Sequence, residues 1–317
     1  MSENVLIQGK RVTDRTIVEE VRTTDEGYLI TQQNQVGVTR FGEFEVAQRT
    51  TQFSLKPTWG VSALRYDTTF TGTGATAIET GGEFKLSSGT DNNGISLVQT
   101  KQRGQYQSGA TGQAGVGFRI PTAPVGTEFM EWGYTDFTNG FYYGVDATGT
   151  YVARVSGGSV TKVYQTDWNL DKLDGTGLSG VTLNLADGSI AQMDFTWYGY
   201  GDVEYSILAH DTTTNIVQKV AIHRSHIDNV VSIVDPNQPL AFRVGNGAAG
   251  TTSKDLYIGG HQFAVKTGAL IQQTRQASEV LVTHTTALNT DWQPLISVRK
   301  KATFNSRGNS VNTWINS

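Results

Sequence analysis

Hydrophobic residues along this chain recur mostly at every second position, in short runs closed by glycine, asparagine or proline. Residues 115–120 show the pattern plainly, with Val116, Phe118 and Ile120 alternating with Gly117 and Arg119. Period two sends successive side chains to opposite faces of a pleated strand, so such a run reads as a half-buried strand. Residues 61–66 and 83–86 read as strands of the same kind. Further on, Met193, Phe195 and Trp197 face one way while Gln192, Asp194 and Thr196 face the other. After the Gly199-Tyr-Gly201 break, Val203, Tyr205 and Ile207 resume the alternation, which predicts a long strand, a turn and a return strand. Leu240, Phe242 and Val244 repeat it behind Pro236 and Pro239, placed where a strand starts and not inside one.

Between these runs, Gly72-Thr-Gly, Asp91-Asn-Asn-Gly and Ser108-Gly-Ala-Thr-Gly supply residues that tolerate positive φ at turns. Turn signals return about every 8 to 15 residues, and no stretch carries three turns of amphipathic helix. The prediction is an all-β chain, a two-sheet antiparallel sandwich of jelly-roll or concanavalin-like kind with extended N- and C-terminal segments. The absence of a repeat at about 20 to 50 residues argues against propellers and solenoids.

Patterning divides the chain into an N-terminal arm or attachment segment (1–50), a sandwich core (51–270) and C-terminal strands with a tail (271–317). The arm is polar and poor in aromatics, with strand-like pieces at 5–8 and 42–46 and a stretch at 17–21 that fits one helical turn or a strand. The tail carries strand patterns at 280–284 and 295–298. It ends with Trp314 and Ile315, expected to dock on the core or on a neighbouring subunit.

Composition sharpens this picture. With 36 Gly, 13 Phe, 12 Tyr and 6 Trp, the chain favours strands and tight turns. Its 25 basic and 29 acidic residues leave a formal charge of -4 with no basic run, which argues against a nucleic-acid partner. Cysteine is absent, excluding disulfides, thiolate catalysis and cysteine-ligated metals. The first residues lack an apolar segment, and no apolar run approaches the roughly 18 residues of a membrane span. Synthesis in a cytoplasm without membrane insertion is the expectation.

Candidate chemistry fails on context in most places. Gly245-Asn-Gly-Ala-Ala-Gly250 matches a dinucleotide fingerprint as a string, yet no helix pattern follows to receive a pyrophosphate, so it reads as a β-turn. His223-Arg-Ser-His226 sits at a strand end, where three-residue spacing does not converge two imidazoles; His210 and His261 would join only through the fold. The loop Asn169-Leu-Asp-Lys-Leu-Asp-Gly-Thr-Gly lacks the spacing and closing glutamate of an EF-hand, and reads as a rigid loop whose Asp side chains accept backbone N–H bonds. No catalytic, cofactor or metal residues are assigned. Trp132, Tyr134, Tyr142, Tyr143 and Trp168, with Phe141 beside them, are dense enough to suggest glycan or interface contacts, although alternation sends about half of such a group inward. Glu128, Glu131, Asp136, Asp194 and Glu204 are available carboxylates, but no strand carries the closely paired acids of a sandwich-fold glucanase.

Several pieces together carry a resemblance: Phe41-Gly-Glu-Phe-Glu-Val-Ala-Gln, Tyr106-Gln-Ser-Gly109, Gly140-Phe-Tyr-Tyr-Gly144, Gln165-Thr-Asp-Trp-Asn-Leu-Asp-Lys-Leu-Asp-Gly-Thr-Gly and Trp197-Tyr-Gly-Tyr-Gly201. In this order, over about residues 37 to 245, the chain resembles virion-associated proteins of tailed bacteriophages and related large DNA viruses. The tryptophan loop is the most specific part. The resemblance implies a structural component of a particle, of head-decoration, tail, baseplate or fibre type, and carries no functional residues across. Its partners would be other copies of itself and other virion proteins. The alternative is a carbohydrate-binding receptor-recognition protein acting on host surface glycans. A glycan-cleaving enzyme dependent on Glu131 or Glu204 ranks last, and no enzymatic activity is expected.

Overall fold

The structure, a computed structural model, describes residues 48–211, 216–226 and 230–267, with short pieces at 303–304 and 307–308. The strand readings at 5–8, 42–46, 280–284 and 295–298, the 17–21 stretch and the docking of Trp314 and Ile315 lie outside the described residues. Among the described residues, fifteen strands build the body. They are β1 (Gln48–Leu55), β2 (Tyr66–Thr71), β3 (Ala75–Thr80), β4 (Glu83–Ser88), β5 (Ile95–Arg103), β6 (Thr111–Arg119), β7 (Phe129–Thr135) and β8 (Gly140–Asp146). They continue as β9 (Gly149–Ser156), β10 (Ser159–Tyr164), β11 (Ser189–Phe195), β12 (Val203–Asp211), β13 (Ile216–Ser225), β14 (Pro239–Gly245) and β15 (Asp255–Thr267).

All pair antiparallel, in two sheets. The first has eight strands in the order β13-β12-β11-β6-β15-β4-β3, with β1 also on β15; the second has seven, in the order β10-β9-β8-β7-β14-β5-β2. The long β15 is shared: its first half pairs with β4 and its second half with β1, while β6 runs along its other side. The predicted all-β, two-sheet antiparallel sandwich is therefore the fold observed, and β11, its turn and the returning β12 pair residue for residue from Phe195↔Val203 to Ile190↔Leu208.

The inward residues of both sheets make one core. Val116 and Phe118 from β6, Met193 and Phe195 from β11, and Leu240, Phe242 and Val244 from β14 are all buried in it, as alternation requires. Trp132 bridges the sheets, its ring stacked on Phe118 at 4.3 Å between centroids. One expectation is corrected: residues 61–65 form a turn, not a strand, because the Arg65 and Tyr66 amides both donate to the Ser62 carbonyl, each at 2.9 Å. Val61 still packs on the core, so its apolar character reports burial and not strand geometry.

A polar link crosses the core. His261 on β15 lies among Tyr66, Phe84 and Phe242. Its Nδ1 stands 3.0 Å from the Gly259 carbonyl, which only accepts, so Nδ1 carries the proton and Nε2 accepts from the Tyr66 hydroxyl at 2.9 Å. Burial pushes the Tyr66 phenol up to about 12 and the His261 imidazole down to about 4. The folded chain holds His261 neutral while the unfolded chain protonates it below about 6.5. Stability is thus complete above pH 6.5 and falls as pH drops toward 4, by on the order of 3 kcal/mol from this group. Denaturant unfolding of the wild type at a series of pH values across that window should show the loss, and His261→Gln should flatten it; an equally steep profile in the variant would assign the loss elsewhere.

Candidate functional site

The aromatic residues singled out from sequence do not form a surface platform. Trp132, Tyr134 and Tyr143 are fully buried, as are Phe141, Tyr142 and Trp168 to within 3%. Trp132, Tyr134, Phe141 and Tyr143 point into the sandwich. Tyr142 points out of the second sheet, where Phe137 and Tyr151 cover it edge-on. Alternation sends about half of such a group inward without saying which; the covering of Tyr142 depends on neighbours that the local pattern does not show. Trp168 packs on the main core and donates its indole N–H to the Val163 carbonyl at 3.2 Å. None of these six offers a ring face to a ligand, and the expectation of glycan contacts at these positions is corrected on that ground.

The loop after Trp168 is held as the sequence suggests. Asp171 accepts the Leu173 and Ser179 amides, each at 2.8 Å, and Asp174 accepts the Thr176 amide at 2.9 Å. A Cβ at Gly177 would collide with the Asp171 carboxylate, so glycine is required there by close approach. Gly245-Asn-Gly-Ala-Ala-Gly250 is likewise a turn, with Gly247 at φ 60° and the Gly250 amide donating to the Asn246 carbonyl. His223 accepts the Asn169 amide through Nδ1 at 3.4 Å, far along the sheet from the His261 link.

Each candidate carboxylate is engaged with a cation: Glu128 with Lys254, Glu131 with Arg243, Asp136 with Arg103, Asp194 with Lys219 and Glu204 with Arg224. Glu131 and Glu204 lie in different sheets. Among the described residues, no group of three or more His, Asp or Glu is arranged to hold a metal ion.

A different site emerges on the outer face of the first sheet. A recess of about 610 Å³ opens over β6, β11 and β15, its floor including Gly115, Gly117 and Gly260. Strand register explains it. Ser54 on β1 stands opposite Gln262 on β15, Gln262 opposite Gly115 on β6, Gly115 opposite Gln192 on β11, and Gln192 opposite Ser206 on β12. This transverse row reads hydroxyl, amide, glycine, amide, hydroxyl. With strands spaced about 4.8 Å apart, the two glutamines rise roughly 10 Å apart with no side chain between them.

The next row supports the first. Gln113 on β6 lies opposite Asp194 on β11, and Asp194 gathers Gln113 Nε2 at 2.7 Å, Gln192 Nε2 at 2.6 Å, Lys219 Nζ at 3.0 Å and Lys266 Nζ at 3.5 Å. Burial pushes the Asp194 carboxyl up, but the two ammonium groups and the Gln113 bond outweigh it and hold it below the usual carboxylate range. The carboxylate fixes Gln192 by its nitrogen, leaving the amide oxygen as an acceptor. Leu55, Ile190 and Leu208 add apolar lining, and Arg49, Lys56 and Lys219 add cations. Three residues beyond Lys56, Trp59 is 85% exposed on a short 3-10 turn, Pro57–Trp59.

Sequence reading missed this site. The signal present was the outward set Gln192 and Asp194 beside a strand whose outward positions, Gly115 and Gly117, are glycines; that the two strands are neighbours is what the local pattern lacked.

No protein-family model matches the chain, and no curated protein does. Among solved structures it is similar to the carbohydrate recognition domain of Emp47p, at 13% identity over 70% of this chain and 98% of that one, with a TM-score of 0.42. It is similar also to a legume lectin-like domain from Entamoeba histolytica (10% identity, 63% and 89% covered, TM-score 0.38). A third is a protein of unknown function from Shewanella oneidensis MR-1 (11% identity, 75% and 92% covered, TM-score 0.41). Likenesses at this level say nothing of ligand or chemistry for this chain.

Proposed function

We propose that this chain is a carbohydrate-binding β-sandwich, with the recess over Gly115 as its saccharide site. The observation that carries this reading is the transverse row Ser54, Gln262, Gly115, Gln192, in which two amides flank a gap on a rigid sheet. A saccharide presents hydroxyls that both donate and accept, and glutamine amides do the same from one side chain. Ile190 and Leu208 supply apolar surface for the C–H faces of a sugar ring. A volume of about 610 Å³ suits a short oligosaccharide.

Gly115→Val tests this directly. A Cβ at Gly115 meets only Gln262 Cγ and Nε2, at 3.7 Å, and its φ is not in the left-handed region, so a β-branched residue fits the strand while filling the recess. The wild type should bind members of a broad glycan array. Gly115→Val should unfold at nearly the wild-type midpoint yet lose binding by at least roughly tenfold. A wild type that binds no glycan, or a folded Gly115→Val that binds as well, would refute the site.

The resemblance of the 165–177 loop and its companion motifs to virion-associated proteins favours a second reading, a structural part of a particle. On that reading the array is empty and the purified chain forms an oligomer of fixed stoichiometry.

A further inference from the structure

We propose that the ligand of the recess is an acidic saccharide, one bearing carboxylate or sulfate groups. The inference rests on the carbohydrate reading above and adds the chemical class. The chain as a whole carries 29 acidic against 25 basic residues, yet the ionised side chains lining the recess are Arg49, Lys56 and Lys219, with no Asp or Glu among them. His261, also at the wall, is held neutral by burial.

Arg49 and Lys56 are exposed and have no carboxylate partner among the described residues. In the β1–β15 ladder Arg49 stands directly opposite Lys266. Like charges in that position destabilise a sheet unless something neutralises them. Lys266 pairs with Asp194 Oδ1 at 3.5 Å and Lys219 with Asp194 Oδ2 at 3.0 Å, so both oxygens of that carboxylate are engaged. The recess thus carries three cationic side chains, Arg49, Lys56 and Lys219, of which Lys219 alone has a carboxylate partner among the described residues. Neutral sugar hydroxyls have no need of this excess.

An anionic substituent does. Hydrogen bonds from a guanidinium or ammonium to an oxyanion are shorter and about twice as strong as neutral ones, and the planar arginine fork matches carboxylate and sulfate alike. A recess lined by one sign of charge over a packed sheet also concentrates oppositely charged ligands near it. The row of Gln262 and Gln192 would then read the ring hydroxyls while Arg49 and Lys56 read the acid.

The test titrates the full chain with size-matched neutral, carboxylated and sulfated oligosaccharides at low and at physiological salt. Acidic members should bind at least about tenfold more tightly than neutral ones, with an advantage that shrinks as salt rises. In the double variant Arg49→Gln/Lys56→Gln, with its unfolding midpoint checked, the ratio of acidic to neutral affinity should fall to near one. Neutral sugars binding as well as acidic ones, or a ratio unmoved in the variant, overturns the inference and leaves the carbohydrate reading standing. No binding of any saccharide removes that reading and this inference together. Single-stranded oligonucleotide or polyphosphate bound as tightly as the acidic saccharides overturns it differently, by showing a recess that reads charge without sugar.

Discussion

Trp132→Ala is expected to cost about 3–5 kcal/mol of folding stability, the range for removing a fully buried large aromatic from a packed core. The residue has no exposed surface, stacks on Phe118 from the opposite sheet, and lies parallel to Tyr143 on the neighbouring strand at 6.1 Å. Truncation therefore leaves a void on the seam between the sheets, where β6 and β7 face each other and neither backbone can move inward without breaking its ladder. Its indole nitrogen is buried without a hydrogen-bond partner among the described residues. Trp132→Phe, which removes that unmatched donor, should accordingly lose much less than alanine. Denaturant unfolding of both variants measures the difference. The result also separates two roles for this tryptophan: a sugar platform would lose binding with its stability intact, whereas the structure calls for the reverse.

The second large effect is expected on the outer face of the other sheet. Glu131 on β7 accepts the Tyr151 hydroxyl at 2.7 Å and forms an ion pair with Arg243 on β14, and its side chain is only 5% exposed. Burial, with the Glu131 charge added, raises the Tyr151 phenol well above its ordinary value and keeps it a donor. The tyrosine reaches Glu131 by crossing Gly144, where any Cβ would strike its ring. Arg243 is also positioned by Phe137, with its guanidinium 3.8 Å from the ring centroid. Glu131→Ala strands this guanidinium and the phenol together, for a loss of about 3 kcal/mol, the low end for breaking a buried pair because Arg243 retains some solvent. Glu131→Leu/Arg243→Leu should recover most of that loss, since a packed apolar pair is often as stable as a buried ionic one. A double variant as unstable as the single one would show that the pair itself, and not the stranded charge, sets the cost. Loss of stability here would also place Glu131 among structural carboxylates.

Much of the fold was legible in particular residues. Val116 and Phe118 on β6, and Met193 and Phe195 on β11, announced their inward faces through period two alone. Pro239 marked the start of β14, and the glycines at 72 and 247 marked turns through the positive φ they adopt. The 61–66 run departs from the strand it suggests because an exposed turn, with Leu64 89% exposed, carries apolar residues between the partly buried Val61 and the buried Tyr66. The aromatic group at 132–143 was read as partly exposed because alternation says which residues share a face, not what later covers that face; Tyr151, arriving from β9, covers Tyr142.

The sequence by itself determined an all-β sandwich, the inward set of its core and the absence of thiol chemistry, since these follow from local periodicity and composition. Only the tertiary structure decided the site. Ser54, Gln262, Gly115 and Gln192 come from four strands widely separated along the chain, and become one row solely through inter-strand hydrogen-bond register. Register is fixed by how whole strands bury their inner faces against the opposite sheet. That global packing condition leaves no mark on any short window of sequence.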